Sequence, residues 1–270
     1  VALSDSNVGW LKDGVWNKVA LSDGYLRWVP MAKGWNLSSS PMTLSNSNQS
    51  WPGLQLQLRQ NELGYQASLQ NLQLGIARPV LELFSDGSEQ LQSLLAYQLD
   101  GKIDRLNLLT ENDQWYLSGQ FNELSSAPVA DVPGVKGFTG RFVASPHFGW
   151  VGLKAEDGAL QWDQAFSKDW SYKGAELELA WRKRAGNWQI LVPYLSLWQD
   201  AFSLEAELVV NLDDKPNMDL VAELHGVPVQ NAEQFFPKFY MPESVINYLK
   251  PALLSGDVSS GKVLWSGDFA

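Results

Sequence analysis

The chain has 270 residues, of which 20 are basic and 30 acidic, for a formal net charge of −10. At about 150 residues per domain that is one large domain or two small ones, and 45% hydrophobic against 19% charged residues supplies a core and excludes disorder. The acidic balance argues against nucleic acid and anionic lipid headgroups as electrostatic partners. The absence of cysteine removes disulfides, thiolate metal sites and thiol nucleophiles together.

No run approaches the roughly 18 continuous apolar residues of a membrane-spanning helix. Val1 follows no signal peptide, and Phe269-Ala270 comes directly after a strand-like run, so the chain reads as a segment of something longer. It holds 13 Trp and 40 Leu, and much of the Leu alternates with Gln, Glu or Ser. The alternation is clearest at Leu54-Gln55-Leu56-Gln57-Leu58-Arg59. It returns at Tyr65 to Gln70 and at Leu72-Gln73-Leu74-Gly75-Ile76. A period of two puts successive side chains on opposite faces, which predicts half-buried antiparallel strands, with turns at Asn61-Glu62 and at Asn71.

After Ser85-Asp86-Gly87 the pattern changes. Leu91, Leu94, Leu95 and Leu99 fall at helical spacing, with Asp86 and Glu89 as a capping pair and Gly101 just past the end, which predicts a helix near 87–99. Strands are then predicted over Ile103–Leu109, Trp115–Phe121, Gly140–Phe148, Ala175–Arg182, Trp188–Trp198, Ala201–Leu212 and Asp219–His225. Ala185-Gly186-Asn187 and Asp213 to Asn217 are the turns. A second helical segment, near 232–254, starts at Asn231 with Gln234 and restarts at Pro242. Val245, Leu249, Ala252 and Leu253 are at helical spacing, Pro251 is expected to kink or shorten the helix, and Gly256 closes it. Gly101-Lys102-Ile103 and Gly256-Asp257-Val258 each follow a helix, which hints at a repeated unit of about 150 residues.

Few residues could carry chemistry. His147 and His225 are the two histidines, and neither has a nucleophile elbow nor a metal-spaced partner, so both read as structural or surface groups. Gly256-Asp257-Val258-Ser259-Ser260-Gly261-Lys262-Val263 nearly matches a phosphate-binding loop. It ends on Val263 rather than Ser or Thr, and it lies between helix and strand in the wrong order. Glu205 and Glu207 share one strand face at roughly 7 Å, a spacing that suits a glycosidase pair, but the apolar alternates Leu204, Ala206, Leu208 and Val210 turn them outward. Asp213-Asp214-Lys215-Pro216-Asn217 lacks the central Gly and terminal Glu of a calcium loop. Trp162, Trp181, Trp188 and Trp198 have three readings: stacking on sugars, packing on the sheet, or lining an apolar trough and its rims. No metal ligands and no cofactor are expected.

The last third carries a resemblance. Phe235-Phe236-Pro237-Lys238-Phe239-Tyr240-Met241-Pro242 leads to Val245-Ile246-Asn247-Tyr248-Leu249, then Ala252-Leu253-Leu254-Ser255-Gly256-Asp257-Val258 and Gly261 to Gly267. Further back stand Gly119-Gln120-Phe121-Asn122, Val132-Pro133-Gly134-Val135, Phe138-Thr139-Gly140 and Gly186-Asn187-Trp188-Gln189-Ile190. This order resembles the AsmA-like proteins of Gram-negative bacteria, of the YhdP type, with Phe-Phe-Pro in place of the usual start. The resemblance covers at least residues 100 to 270, and more loosely the whole chain. It implies an inner-membrane anchor by one N-terminal helix outside this segment, a long curled β-sheet in the periplasm, and an apolar groove that bridges phospholipids between inner and outer membranes. It implies no catalytic residues.

The expected architecture is therefore mainly β. A long antiparallel meander, twisted and curled into an apolar groove or incomplete barrel, is interrupted by two short helical segments. It forms one continuous segment over 1–270, divisible into sub-units 1–100 and 101–270. Leu54, Leu56 and Leu58, with Leu204, Ala206, Leu208, Val210 and Leu212, are expected to share a concave apolar face that contacts acyl chains, while Gln55, Gln57, Glu205 and Glu207 face water. A lipid with about 30 acyl methylenes faces roughly 24 kcal/mol on exposure to water, so a carrier needs a continuous apolar track. The competing expectation is a carbohydrate-binding or glycoside-processing β domain that uses exposed Trp. An outer-membrane barrel is disfavoured by the helical interruptions.

Overall fold

The computed structural model describes residues 1–4, 6–12, 14–46, 49–83, 89–112, 114–130, 132–162, 169–200, 202–229, 243–252 and 255–268. These residues are mostly strand, and every pairing with an assigned register is antiparallel. The chain divides into two compact units, Val1–Leu124 with Arg141–Pro146, and Ser125–Gly140 with His147–Ala270.

Unit 1 begins with six short strands: β1 (Ala2–Leu3), β2 (Ser6–Lys12), β3 (Val15–Ser22), β4 (Gly24–Met31), β5 (Gly34–Ser39) and β6 (Met42–Ser45). Three longer ones follow, β7 (Ser50–Gln60), β8 (Gly64–Gln73) and β9 (Asp100–Glu111), with most of β10 (Gln114–Ser126). The sheet turns a corner along β7. The first half of β7 pairs with β6, Leu54 opposite Met42, and the second half pairs with β5, Leu58 opposite Leu37. Beyond them, β3 pairs with β6 and β4 with β5. The corner is made at Asp23 (φ 62), at Ser40-Pro41 and at Gly53 (φ 87), where left-handed backbone or a missing N–H ends regular pairing. The backbone group left over at the bend is satisfied locally, since the Leu56 N–H donates to the buried Ser39 Oγ at 2.9 Å.

Inside this corner lies the best-buried core of the unit. Leu3, Val19, Met42, Leu44 and Leu54 close on Ile76 and Ala77 of helix α1 (Leu74–Leu83), and Met42 and Ile76 are each 2% exposed. Of the strand expected at Leu72–Ile76, Leu72 and Gln73 end β8, opposite Ile103 and Lys102, and helix α1 replaces the rest from Leu74. Five alternating residues also fit a helix start, and Ile76, Ala77 and Val80 then make an i, i+1, i+4 face that packs into the corner. The turn expected at Asn71 is instead a left-handed residue (φ 57) within β8, and the register with β9 is the same on both sides of it. Its Nδ2 donates to the Pro52 carbonyl at 2.7 Å, and its carbonyl accepts from Trp51 Nε1 at 3.0 Å, which ties β8 to the bend in β7. Helix α2 (Glu89–Ala96) falls inside the predicted 87–99, and its expected cap at Asp86 lies outside the described residues.

Unit 2 holds the first part of β11 (Gly134–Ala144), then β12 (Phe148–Gln161), β13 (Trp170–Arg184), β14 (Asn187–Trp198), β15 (Ser203–Leu212), β16 (Asn217–Pro228), α3 (Glu243–Ala252) and β17 (Asp257–Asp268). From β12 to β17 each strand pairs with the next, and among the described residues no register joins β17 back to β12. The strand expected over Gly140–Phe148 is two strands: β11 ends at Ala144, the chain turns at Pro146-His147, and β12 begins at Phe148. Helix α3 is the described part of the predicted 232–254 segment. The Asn231 and Pro242 starts, the Phe235–Met241 motif and Leu253 lie outside the described residues. There are thus three described helices rather than two, α1 being the addition.

The β13–β14 turn places Ala185 (φ 51) and Gly186 (φ 93) both in left-handed backbone, the geometry of a type I′ hairpin. Alanine has a Cβ penalty there that asparagine offsets with local hydrogen bonds. Ala185→Asn is expected to stabilise unit 2 by about 1 kcal/mol, read as a higher urea midpoint with an unchanged slope.

Candidate functional site

The registers of unit 2 sort its side chains into rows that run across all six strands. One row is Ala155, Ala175, Leu197, Leu204, Leu224 and Gly261. The adjacent row, on the opposite face, is Lys154, Glu176, Ser196, Glu205, Glu223 and Lys262. The next row returns to the first face with Leu153, Leu177, Leu195, Ala206, Ala222 and Val263. Farther along, Val192, Leu208, Leu220 and Trp265 are aligned, then Ile190, Val210, Met218 and Gly267. Directly opposed residues share a face, so one face of the β12–β17 sheet is apolar over six strands, and the other is mainly polar with Trp150, Trp198, Val221 and Leu264 among its apolar members.

Hydrogen bonds fix the polar face. Arg182 Nε donates to Gln189 Oε1 at 2.8 Å, Gln189 Nε2 to Asn211 Oδ1 at 2.7 Å, and Asn211 Nδ2 to Asn217 Oδ1 at 2.8 Å, one chain across four strands. Lys154 holds Glu176 at 2.8 Å, and Glu223 lies between Lys262 at 3.1 Å and His225 at 3.3 Å. Slipping any strand by one residue would invert both faces at once, so these ladders and the apolar rows specify the same register.

The apolar face is only half-buried along most of its length. No described helix packs broadly against it, and it opens further at Leu212, Val263 and Trp265, the last 51% exposed. Of the tryptophans read from sequence as ambiguous, Trp181, Trp188 and Trp198 lie on the sheet. Trp181 lies on the apolar face over Gly149, and Trp198 lies on the polar face over Gly174, where a methyl group would overlap each indole. Trp188 sits on the apolar face with the Lys183 Nζ 5.9 Å from its ring centre.

Unit 1 has the same two-faced strands. Leu58 is opposite Leu37 and Ala67, Leu37 is opposite Trp28, and Trp28 stacks on Trp35 with centroids 4.8 Å apart. Leu54 and Leu58 differ in cover. Leu54, 6% exposed, lies under α1 in the core, with Leu56 packed beside it, while Leu58 is 37% exposed. Gln57 is exposed, Gln55 half-buried, and Glu205 and Glu207 are exposed, while Leu204, Ala206, Leu208 and Val210 are half-buried.

The model of the YhdP protein family matches residues 1–270. The chain belongs to the YhdP family. Neither a curated protein nor a solved structure matches it. The YhdP family is non-enzymatic. His147 stands at the β11–β12 turn with its carbonyl accepting from the Lys183 N–H at 2.7 Å, and His225 sits on the polar face beside Glu223. Asp213 accepts from the Lys215 N–H at 3.0 Å, an Asx turn between β15 and β16. The phosphate-loop look-alike runs into β17, whose backbone is engaged in the ladder. No helix among the described residues of this YhdP-family chain is long and apolar enough to cross a membrane.

Sequence reasoning named an apolar face in β7 and β15 and did not name the apolar rows of β12, β13, β14, β16 and β17. The signal was present in Leu177 and Leu179 alternating with Glu176 and Glu178, and in Leu220, Ala222 and Leu224 alternating with Asp219, Val221 and Glu223.

Proposed function

We propose that this chain is a non-catalytic, periplasmic segment of an inner-membrane-anchored protein that carries phospholipid between inner and outer membranes. Acyl chains lie on the apolar sheet faces. In unit 2 they contact Leu204, Ala206, Leu208, Val210 and Leu212, and in unit 1 Leu56 and Leu58, with Leu54 beneath α1 supporting that face. The observation that carries the reading is the unbroken apolar face of β12–β17, uncovered by any described helix. A soluble domain would bury such a face in a second layer, and single-layer apolar area on this scale marks a binding surface. Lipid with about 30 methylenes gains roughly 24 kcal/mol by staying out of water, so the face needs continuity and no reactive group.

A photo-crosslinking residue at Leu208 is expected to capture phospholipid in cells, and one at Glu207, on the polar face, is expected to capture none. Equal capture at both positions, or none at either in a folded protein, would place the lipid on another surface and overturn the reading.

A further inference from the structure

The polar face of unit 1 carries a feature that an acyl-chain track does not use. Arg27 on β4 is opposite Ser38 on β5, Ser38 is opposite Gln57 on β7, and Asn36 is opposite Arg59. These five side chains, with Val29 and Met31, line one concavity of about 420 Å³, on the face opposite to Trp28, Leu37 and Leu58. Among the described residues neither arginine has an ion-pair partner. Between Gly24 and Gln73 the basic residues are Arg27, Lys33 and Arg59, and the one acidic residue is Glu62. Glu62 is already held by Lys33 at 2.7 Å. A chain with net charge −10 thus presents a locally positive pocket, and at a Debye length of about 8 Å the distant acidic groups do not cancel it.

The donor set is specific in kind. Two guanidinium forks match the oxygens of a phosphate group and hold it with charge-assisted bonds. The Gln57 amide donates to Asn36 Oδ1 at 3.5 Å, which leaves the Asn36 NH2 and the Ser38 hydroxyl as neutral donors beside them. No carboxylate lines the pocket, so a cation has no ligand there.

We infer that Arg27 and Arg59, with Asn36, Ser38 and Gln57, form a phosphate-binding site on the polar face of unit 1. Its ligand is a phosphate oxyanion, either free or as the ester of a lipid headgroup.

Calorimetric titration of the whole chain tests this with two probes at matched chloride concentration: inorganic phosphate, and dihexanoyl phosphatidylglycerol below its micelle threshold. Saturable binding is expected, weakened about tenfold or more in the Arg27→Gln/Arg59→Gln pair. The Arg27→Lys/Arg59→Lys pair should be intermediate, since it keeps the charge and loses the forks. Both arginines face solvent, so the melting temperature without ligand should stay at the wild-type value. Binding of both probes identifies the phosphate group itself as the ligand, and binding of the lipid probe alone, lost in the Gln pair, identifies a headgroup. No saturable binding of either probe, equal heats from chloride alone, or equal lipid binding in wild type and the Gln pair would overturn the site. Crosslinking at Leu208 in the Gln pair is expected to be unchanged, so failure here is distinguishable from failure of the transport reading.

Discussion

Leu208→Asp is expected to leave unit 2 folded and to strip it of lipid. Leu208 lies mid-strand between Val192 and Leu220 on the apolar face and is half-buried. Without lipid the new carboxylate keeps contact with water, so folding loses only part of a leucine's packing, about 1–2 kcal/mol. In a unit of this size that lowers the melting temperature by roughly 2–8 °C. With an acyl chain above it the same carboxylate has Val192 and Leu220 beside it and no cation in its row, and burying it unpaired costs several kcal/mol. Since each 1.4 kcal/mol is tenfold, phospholipid recovered by mass spectrometry from the purified variant should fall by about a hundredfold or more. Cellular activity should fall with it. Glu207→Ala, one residue away on the polar face, should retain both. A folded Leu208→Asp protein carrying the wild-type amount of lipid would show that acyl chains do not run along β15.

The two faces of β7 and β15 were legible because Leu54–Arg59 alternates strictly and Leu204–Leu212 does so apart from Val209, and only a two-faced strand repays that pattern. What was not legible has particular causes. The six strands before β7 are short and change direction at Asp23-Gly24 and Ser40-Pro41, so the phase of alternation is reset before a pattern can accumulate. In β12, Gly149 and Gly158 stand where larger residues would advertise a strand, and the missing volume is supplied by Trp181 and Tyr172 from β13. Helix α1 was hidden because Leu72–Ile76 satisfies both periods over so short a span. The different fates of Leu54 and Leu58, four residues apart on one face, depend on where α1 lands, a long-range contact that no local pattern encodes. Arg27 and Arg59 are joined only by the parity of two successive registers across β5, so their juxtaposition needed the sheet.

Ile76→Asp, the same chemical change made on a covered face, is expected to have the opposite outcome. Ile76 is 2% exposed and is surrounded by Leu3, Val19, Met42, Leu44 and Leu54 from both arms of the corner. There is no water for the carboxylate and no cation in that cluster. The penalty then exceeds about 4–5 kcal/mol, comparable to the whole stability of an ordinary domain. Unit 1 should lose its cooperative melting transition and become open to proteolysis between β8 and β9. The graded variant Ile76→Ala removes volume without adding charge and should cost about 2–5 kcal/mol, measurable as a lower urea midpoint. The pair of Asp variants separates two kinds of apolar residue that share one sequence signature. Where a helix closes over the leucines, charge destroys the fold; where no described helix closes over them, charge destroys binding. If Ile76→Asp instead melts within a few degrees of wild type, α1 is not a fixed cover, and Leu54 belongs to the same open surface as Leu58.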